Sequence, residues 1–232
     1  MDAVNGLQLF LSAMENVYTE GRINRINELV AQSSRILIVA HRSPDGDAVG
    51  SSLGLYNALK EEGKQVDVWM PDDFAPNLKW IPGNDILRLY DGAEKEGNEV
   101  IKSADLIFCL DFNTLARTGG MAQMLTQSEA PKVLIDHHLN PDDVFEVQLS
   151  DTSASSTCEM VFNFLTHSDR ANTLTGDAAR CLYVGLVTDT GSFKYAVSSE
   201  THHVASELIA AGVDSTELHG LIFDVNSGDR LQ

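Results

Sequence analysis

The residues with most chemical capacity in this 232-residue chain share one kind of position, the end of an apolar run. His41, Asp45 and Asp47 follow Ile36–Ala40, a run of the β-branched type that suits a strand buried on both faces. Asp111 closes DLIFCLD (105–111), Asp136 closes KVLID (132–136) and runs on into His137 and His138, and Asp189 follows the apolar stretch 175–187. Two carboxylates two residues apart, in a turn marked by Pro44 and Gly46, repel each other at neutral pH, and a divalent cation removes that conflict. The competing reading of Asp47 is a solvated helix cap, since a negative side chain is favoured at a helix N-terminus. Repetition decides between them: three strands ending in acids or histidines on one sheet edge point to an active site, because open α/β sheets keep their sites there.

The elements that must position these groups are read from periodicity. Gln65–Met70 and Phe145–Leu149 supply two further strands, giving about five in all. Helical spacing marks 48–63, 93–103, 115–125, 157–167, 175–187, 200–211 and 215–223, and 71–82 reads as a loop. Strands alternating with helices predict a doubly wound α/β domain with a mainly parallel sheet and helices on both faces. Residues 1–32 form a separate N-terminal helical segment whose two heptads, interrupted at Gly21, fit either the domain's own surface or a homodimer seam. The hydroxyls of 153–157 suit a helix cap or a phosphate site, with capping the default. His202 and His203, lacking an acidic partner at ligand spacing, are read as surface or packing residues.

Two pattern matches fail. Asp45 and Asp47 resemble the start of a calcium loop, but Val49 and Tyr56 stand where ligands are required. Gly50–Gly54 imitates a nucleophile elbow around Ser52, yet it lies inside a helical periodicity, so its small residues are expected to serve close helix packing. The formal charge of −18 argues against a long-DNA surface, while leaving small phosphorylated substrates open, because bound cations reverse the local field. Cys109, Cys158 and Cys181 are scattered without a C-x-x-C pair and fit reduced thiols. With no basic-then-apolar leader and no apolar run of about 20 residues, a cytoplasmic protein off the membrane is expected.

With His41-x-x-x-Asp45-Gly46-Asp47, Asp111, Asp136-His137-His138 and Asp189 in order, the chain resembles the DHH phosphoesterases over roughly residues 30–225. It looks most like the bacterial branch that degrades short oligoribonucleotides and dephosphorylates 3′-phosphoadenosine 5′-phosphate, with relatives cleaving linear or cyclic di-adenylate. The resemblance implies two divalent cations, Mn²⁺ first and Mg²⁺ as competitor, acting in a two-metal hydrolysis. One would take His41, Asp45 and Asp111, the other Asp47, Asp111, His137 and Asp189, with Asp111 bridging. His138 would face the phosphate, Asp136 would orient the histidines, and Asn113, Arg117 and Ser156 are candidate phosphate or supporting contacts. In this reading 33–225 is the catalytic domain and 226–232 begins a linker to a C-terminal substrate-gripping domain, whose Gly-rich, His-terminated stretch is not found: Gly119-Gly120 leads into Met121. The rival readings are a pyrophosphatase or polyphosphatase with the same ligands, and a metal-containing nucleotide-binding module without turnover.

Overall fold

In the computed structural model the described residues are 17–224, apart from 169 and 175. Six strands form one sheet in the order β3-β2-β1-β4-β5-β6, every adjacent pair parallel: β1 (Arg35–Val39), β2 (Gln65–Met70), β3 (Arg88–Leu89), β4 (Leu106–Leu110), β5 (Lys132–Asp136) and β6 (Val147–Ser150). The chain therefore grows outward from β1 in one direction and from β4 in the other, and the order reverses between them. A crevice outside the carboxyl ends of these two strands is where such sheets bind ligands.

Both sheet faces are covered. Ile36, Ile38, Phe108 and Ile135 point into a large core packed by α1 (Glu20–Gln32), α2 (Gly46–Lys60), α5 (Thr157–His167), α6 (Gly176–Asp189), α7 (Ser199–Ala210) and α8 (Ser215–Phe223). Leu37, Val39, Ile107, Cys109 and Leu134, the alternate residues, face a smaller core against α3 (Glu94–Ser103) and α4 (Ala122–Gln127). Burial on both sides explains why the central strands read as unbroken apolar runs.

The expected elements appear with local differences. The sheet has six strands, because the two-residue β3 carries no run long enough to be read as one. The stretch 115–125 is a 3₁₀ segment, Leu115–Met121, leading into α4, with the break at Gly119 (φ 57°). The expected helical segment 1–32 is not continuous: α1 begins at Glu20 behind its Thr19 cap, so Tyr18 lies outside it and Gly21 falls in its first turn, while the heptad positions Val4, Leu7, Leu11 and Met14 and the expected linker at 226–232 lie outside the described residues. Ser52 is fully buried within α2, which removes it as a nucleophile. The small residues of α2 pack as expected: a Cβ at Gly50 would lie 2.6 Å from the Cys181 carbonyl oxygen and one at Gly54 2.5 Å from Leu182, both on α6. All three cysteines are free and buried. Among the described residues no helix is long and apolar enough to cross a membrane.

Candidate metal centre

Sheet register brings the site together. Val39 pairs with Cys109, so His41 and Asp111, each two residues further on, leave the sheet side by side at the switch point. Cys109 pairs with Leu134 and Leu110 with Ile135, which sets the Asp136-His137-His138 stretch on Asp111's other flank. Asp111 itself turns sharply, with φ 64°. A left-handed conformation costs a non-glycine residue about 1–2 kcal/mol, less for Asp than for most. Its backbone N–H donates to the Ile135 carbonyl at 3.2 Å, which holds the turn against the neighbouring strand.

The carboxylate so placed is shared between two imidazoles through different oxygens. His41 Nε2 lies 3.3 Å from Asp111 Oδ2, and His137 Nε2 lies 3.6 Å from Asp111 Oδ1. Around the first imidazole stands Asp45, 3.9 Å from His41 Nε2. Around the second stand Asp47 at 3.9 Å and Asp189 at 3.6 Å. His41, Asp45 and Asp111 form one trio whose donor atoms all lie within 4.8 Å of one another, and Asp47, His137 and Asp189 form another. A third trio joins Asp111, His137 and His138. The His138 nitrogen nearest Asp111, Nδ1 at 3.8 Å, is already engaged with Asp136 Oδ1 at 2.6 Å. That bond is the polar anchor of a fully buried carboxylate whose Oδ2 has no partner among the described residues.

Two of the carboxylates are held by helix termini, in roles the sequence left open. Asp45, not Asp47, caps α2: its Oδ1 accepts from the N–H groups of Asp47 and Ala48, both at 3.0 Å. Asp47 sits in the first turn with its side chain buried, and there it accepts from the Thr157 N–H (2.6 Å) and the Cys158 N–H (2.9 Å) at the start of α5. The positive end of one helix thus clamps a carboxylate from another. Thr157 Oγ1 also donates to Asp111 Oδ1 at 3.0 Å. Thr157 was not singled out from sequence beyond its place among the hydroxyls of 153–157, and that hydroxyl run was the available signal.

Among the remaining candidates, Ser156 is buried and caps α5, accepting from the Glu159 N–H at 3.1 Å, so it supports the clamp on Asp47 at one remove. Asn113 Nδ2 donates to the Leu139 carbonyl (2.6 Å) and ties the loop after β4 to the loop after β5. The Arg117 carbonyl accepts from the Arg42 N–H at 2.8 Å, joining the 3₁₀ segment to the loop of His41. His202 stacks on Phe193 at 5.6 Å between ring centroids, a packing role.

The electrostatics are those of a site built for positive charge. Burial raises the Asp47 carboxyl well above its ordinary range, and repulsion from Asp111 and Asp189 adds to it. Burial, with Asp111 and Asp45 pushing against the pull of His137, brings Asp189 up to about 6. Burial would raise Asp111 too, but His137 and His41 outweigh it and hold that carboxyl below the usual carboxylate range. Conversely, burial would lower His137, yet Asp111, Asp47 and Asp189 push it up to about 10. The carboxylates crowd one another, so positive charge placed among them relieves their repulsion. Hard carboxylate oxygens mixed with imidazole nitrogens at these separations fit divalent cations.

The chain is similar to known proteins. The DHH family, N-terminal domain, matches residues 35–186. The bifunctional oligoribonuclease and PAP phosphatase NrnA of Thermus thermophilus is 33% identical over 196 residues, covering 82% of this chain and 54% of that protein. Its Bacillus subtilis counterpart is 30% identical over 191 residues, 82% of this chain and 57% of that protein. The chain thus spans about half the length of these curated relatives. The crystal structure of an exopolyphosphatase-related protein from Bacteroides fragilis superposes with a TM-score of 0.90 at 37% identity, covering 92% of this chain and 63% of that one. Exonuclease RecJ bound to manganese shares the fold at a TM-score of 0.55 and 12% identity, covering 90% of this chain and 55% of RecJ. With the family's N-terminal domain matched across all six strands of the sheet and all but the last of the ligand candidates, the chain belongs to the DHH family.

Proposed function

We propose that this chain is a metal-dependent phosphoesterase that hydrolyses short oligoribonucleotides, 3′-phosphoadenosine 5′-phosphate or linear and cyclic di-adenylate. The observation that carries this reading is the division of Asp111, one oxygen toward His41 and the other toward His137. A carboxylate in that position would serve two cation sites, which His41 and Asp45 would complete on one side and Asp47, His137 and Asp189 on the other. Two divalent cations, Mn²⁺ before Mg²⁺, would supply Lewis acidity there and lower the pKa of a water so that hydroxide is available at neutral pH.

The chain's own residues do the rest. The α5 N-terminus fixes Asp47, so the ligand carboxylates are preorganised. Asp136 holds His138 by Nδ1, which leaves Nε2 to meet a phosphoryl or leaving-group oxygen. Asn113 and Arg117, on the loop after β4, are the candidates for further phosphate contacts. Residues 33–225 form the catalytic unit in this reading, in a cytoplasmic enzyme. The substrate class follows the names of the relatives, oligoribonuclease and PAP phosphatase. The Bacteroides fragilis structure, named as exopolyphosphatase-related, favours a second reading in which inorganic polyphosphate or pyrophosphate is the substrate.

The test is a substrate panel. With Mn²⁺ the chain is expected to release phosphate or mononucleotide from 3′-phosphoadenosine 5′-phosphate, linear di-adenylate or short RNA, and Asp111→Ala is expected to abolish it. Release from pyrophosphate or polyphosphate alone would select the second reading. Metal and nucleotide binding with no product from any compound would make the chain a binding module.

A further inference from the structure

Immediately after Asp189 the backbone does something costly. Gly191, Ser192 and Phe193 have φ of 56°, 61° and 61°, three left-handed residues in a row, two of them non-glycine. At the two non-glycine positions such conformations cost of order 1–3 kcal/mol each and persist only where surrounding structure enforces them. Here the enforcement is Thr190, fully buried, whose hydroxyl donates to the Leu186 carbonyl (2.6 Å) and accepts from the Phe193 N–H (3.0 Å). The Thr190 carbonyl accepts from the N–H groups of both Lys194 (2.8 Å) and Tyr195 (3.0 Å). The turn therefore folds Tyr195 back onto the residue next to a ligand carboxylate.

What the turn presents is an aromatic ring with one face seated and the rest open. A Cβ at Gly191 would lie 2.9 Å from Cδ2 and 3.0 Å from Cε2 of Tyr195, so the ring rests on the glycine backbone. Tyr195 is nonetheless 69% exposed, the most exposed large hydrophobic side chain among the described residues. Packing does not account for it, since Phe193 performs that role, stacked on His202 and 6.2 Å from Tyr183. Nor does hydrogen bonding, because its hydroxyl has no partner among the described residues. A ring held in a heavily bonded turn that directly follows the candidate ligand Asp189, yet left bare, is suited to serve as a stacking surface. It is also uncharged, which matters where carboxylates surround the site and a nucleotide's phosphates gain nothing from the chain's net charge of −18.

We propose that Tyr195 stacks on the base of the nucleotide substrate and so sets the preference for nucleotides over base-free phosphates; this rests on the phosphoesterase reading above. The test pairs 3′-phosphoadenosine 5′-phosphate with ribose 3,5-bisphosphate, the same sugar and phosphates without the base. Binding of each to the Mn²⁺-loaded chain is measured by equilibrium dialysis and turnover by phosphate release. Tyr195→Ala is expected to weaken binding and raise KM for the nucleotide about tenfold, leaving ribose 3,5-bisphosphate unchanged, while Tyr195→Phe stays within about twofold of wild type for both. Equal weakening of both compounds would assign the ring a structural role, and no change in either would remove it from recognition; each overturns the proposal. Absence of turnover with base-dependent binding intact would sink the phosphoesterase reading and leave the stacking surface standing.

Discussion

Gly185→Ala strikes the point where fold and site depend on each other. Gly185 lies on α6 where it crosses α2, and an added Cβ would sit 2.2 Å from Cys158 Sγ, 2.7 Å from Asp47 Oδ1 and 3.0 Å from Asp47 Cα. None of these atoms yields readily. Cys158 is buried, with its sulfur also 3.1 Å from where a Cβ on Gly50 would fall, and Asp47 is clamped by two N–H groups of α5. Overpacking of this kind costs about 1–3 kcal/mol. Replacing a helical glycine by alanine returns up to about 1 kcal/mol, so with three contacts at or below 3.0 Å the net loss is set at about 2 kcal/mol. For a domain of this size that is about 4–8 °C in Tm. Because Asp47 must move, Mn²⁺ affinity should fall as well, by about 10–100-fold as for loss of a supporting contact to a ligand. Gly21→Ala is the control: it is exposed on α1 with nothing within 4 Å, and should leave stability unchanged or raise it by about 0.5–1 kcal/mol. Thermal unfolding and Mn²⁺ titration of both variants provide the comparison. A Gly185→Ala chain as stable as wild type, with unchanged Mn²⁺ affinity, would refute the claim that this helix crossing positions the ligand.

Further outcomes follow from the same geometry. His137→Ala should lose one of two bound Mn²⁺ ions, whereas His138→Ala should keep both and lose rate, which metal analysis alongside turnover will separate. Asp136→Asn should resemble His138→Ala, with kcat down about 10–100-fold at full metal content, since its role is to orient that ring. In the metal-free chain the raised values of His137 (6.5 to about 10) and Asp189 (3.8 to about 6) contribute stability that is present at low pH. That stability is lost as pH rises through about 6 and then through about 10. Asp111, held low, acts in the opposite sense only in acid, as pH falls below its ordinary 3.8. Metal affinity rises over the same range, because ligands must be deprotonated. The Tm gap between Mn²⁺-loaded and chelated protein should therefore widen from pH 6 to pH 9, and a constant gap would contradict the assigned ligands.

Much of this was legible in the sequence for a definite physical reason. Strands β2 and β5 and helix α8 have the bounds their patterns predict: β5 is buried along its length and closes on Asp136, β2 is stopped by Pro71, and α8 follows its Asp214 cap. The strand-end acids and histidines converge because parallel strands in register deliver their termini to one edge. Other features depend on contacts distant in sequence. Whether Asp45 or Asp47 caps α2 is undetermined by composition, since both are Asp in one turn, and the answer depends on an α5 terminus 110 residues away drawing Asp47 inward. Strand β3 exists because the edge of β2 offers partners, not because Arg88 and Leu89 favour extension. At 191–193 Gly191 and Ser192 signal a turn, but nothing in the sequence announces a positive φ at Phe193.

The central claim is that Asp111 serves two cation sites. Crystals grown with Mn²⁺ and measured at the manganese absorption edge locate those ions directly. The account predicts two anomalous peaks, about 3.5–4 Å apart, one contacted by His41, Asp45 and Asp111 and the other by Asp47, Asp111, His137 and Asp189. A single ion that leaves one oxygen of Asp111 uncoordinated, or a pair held by other residues, would contradict it.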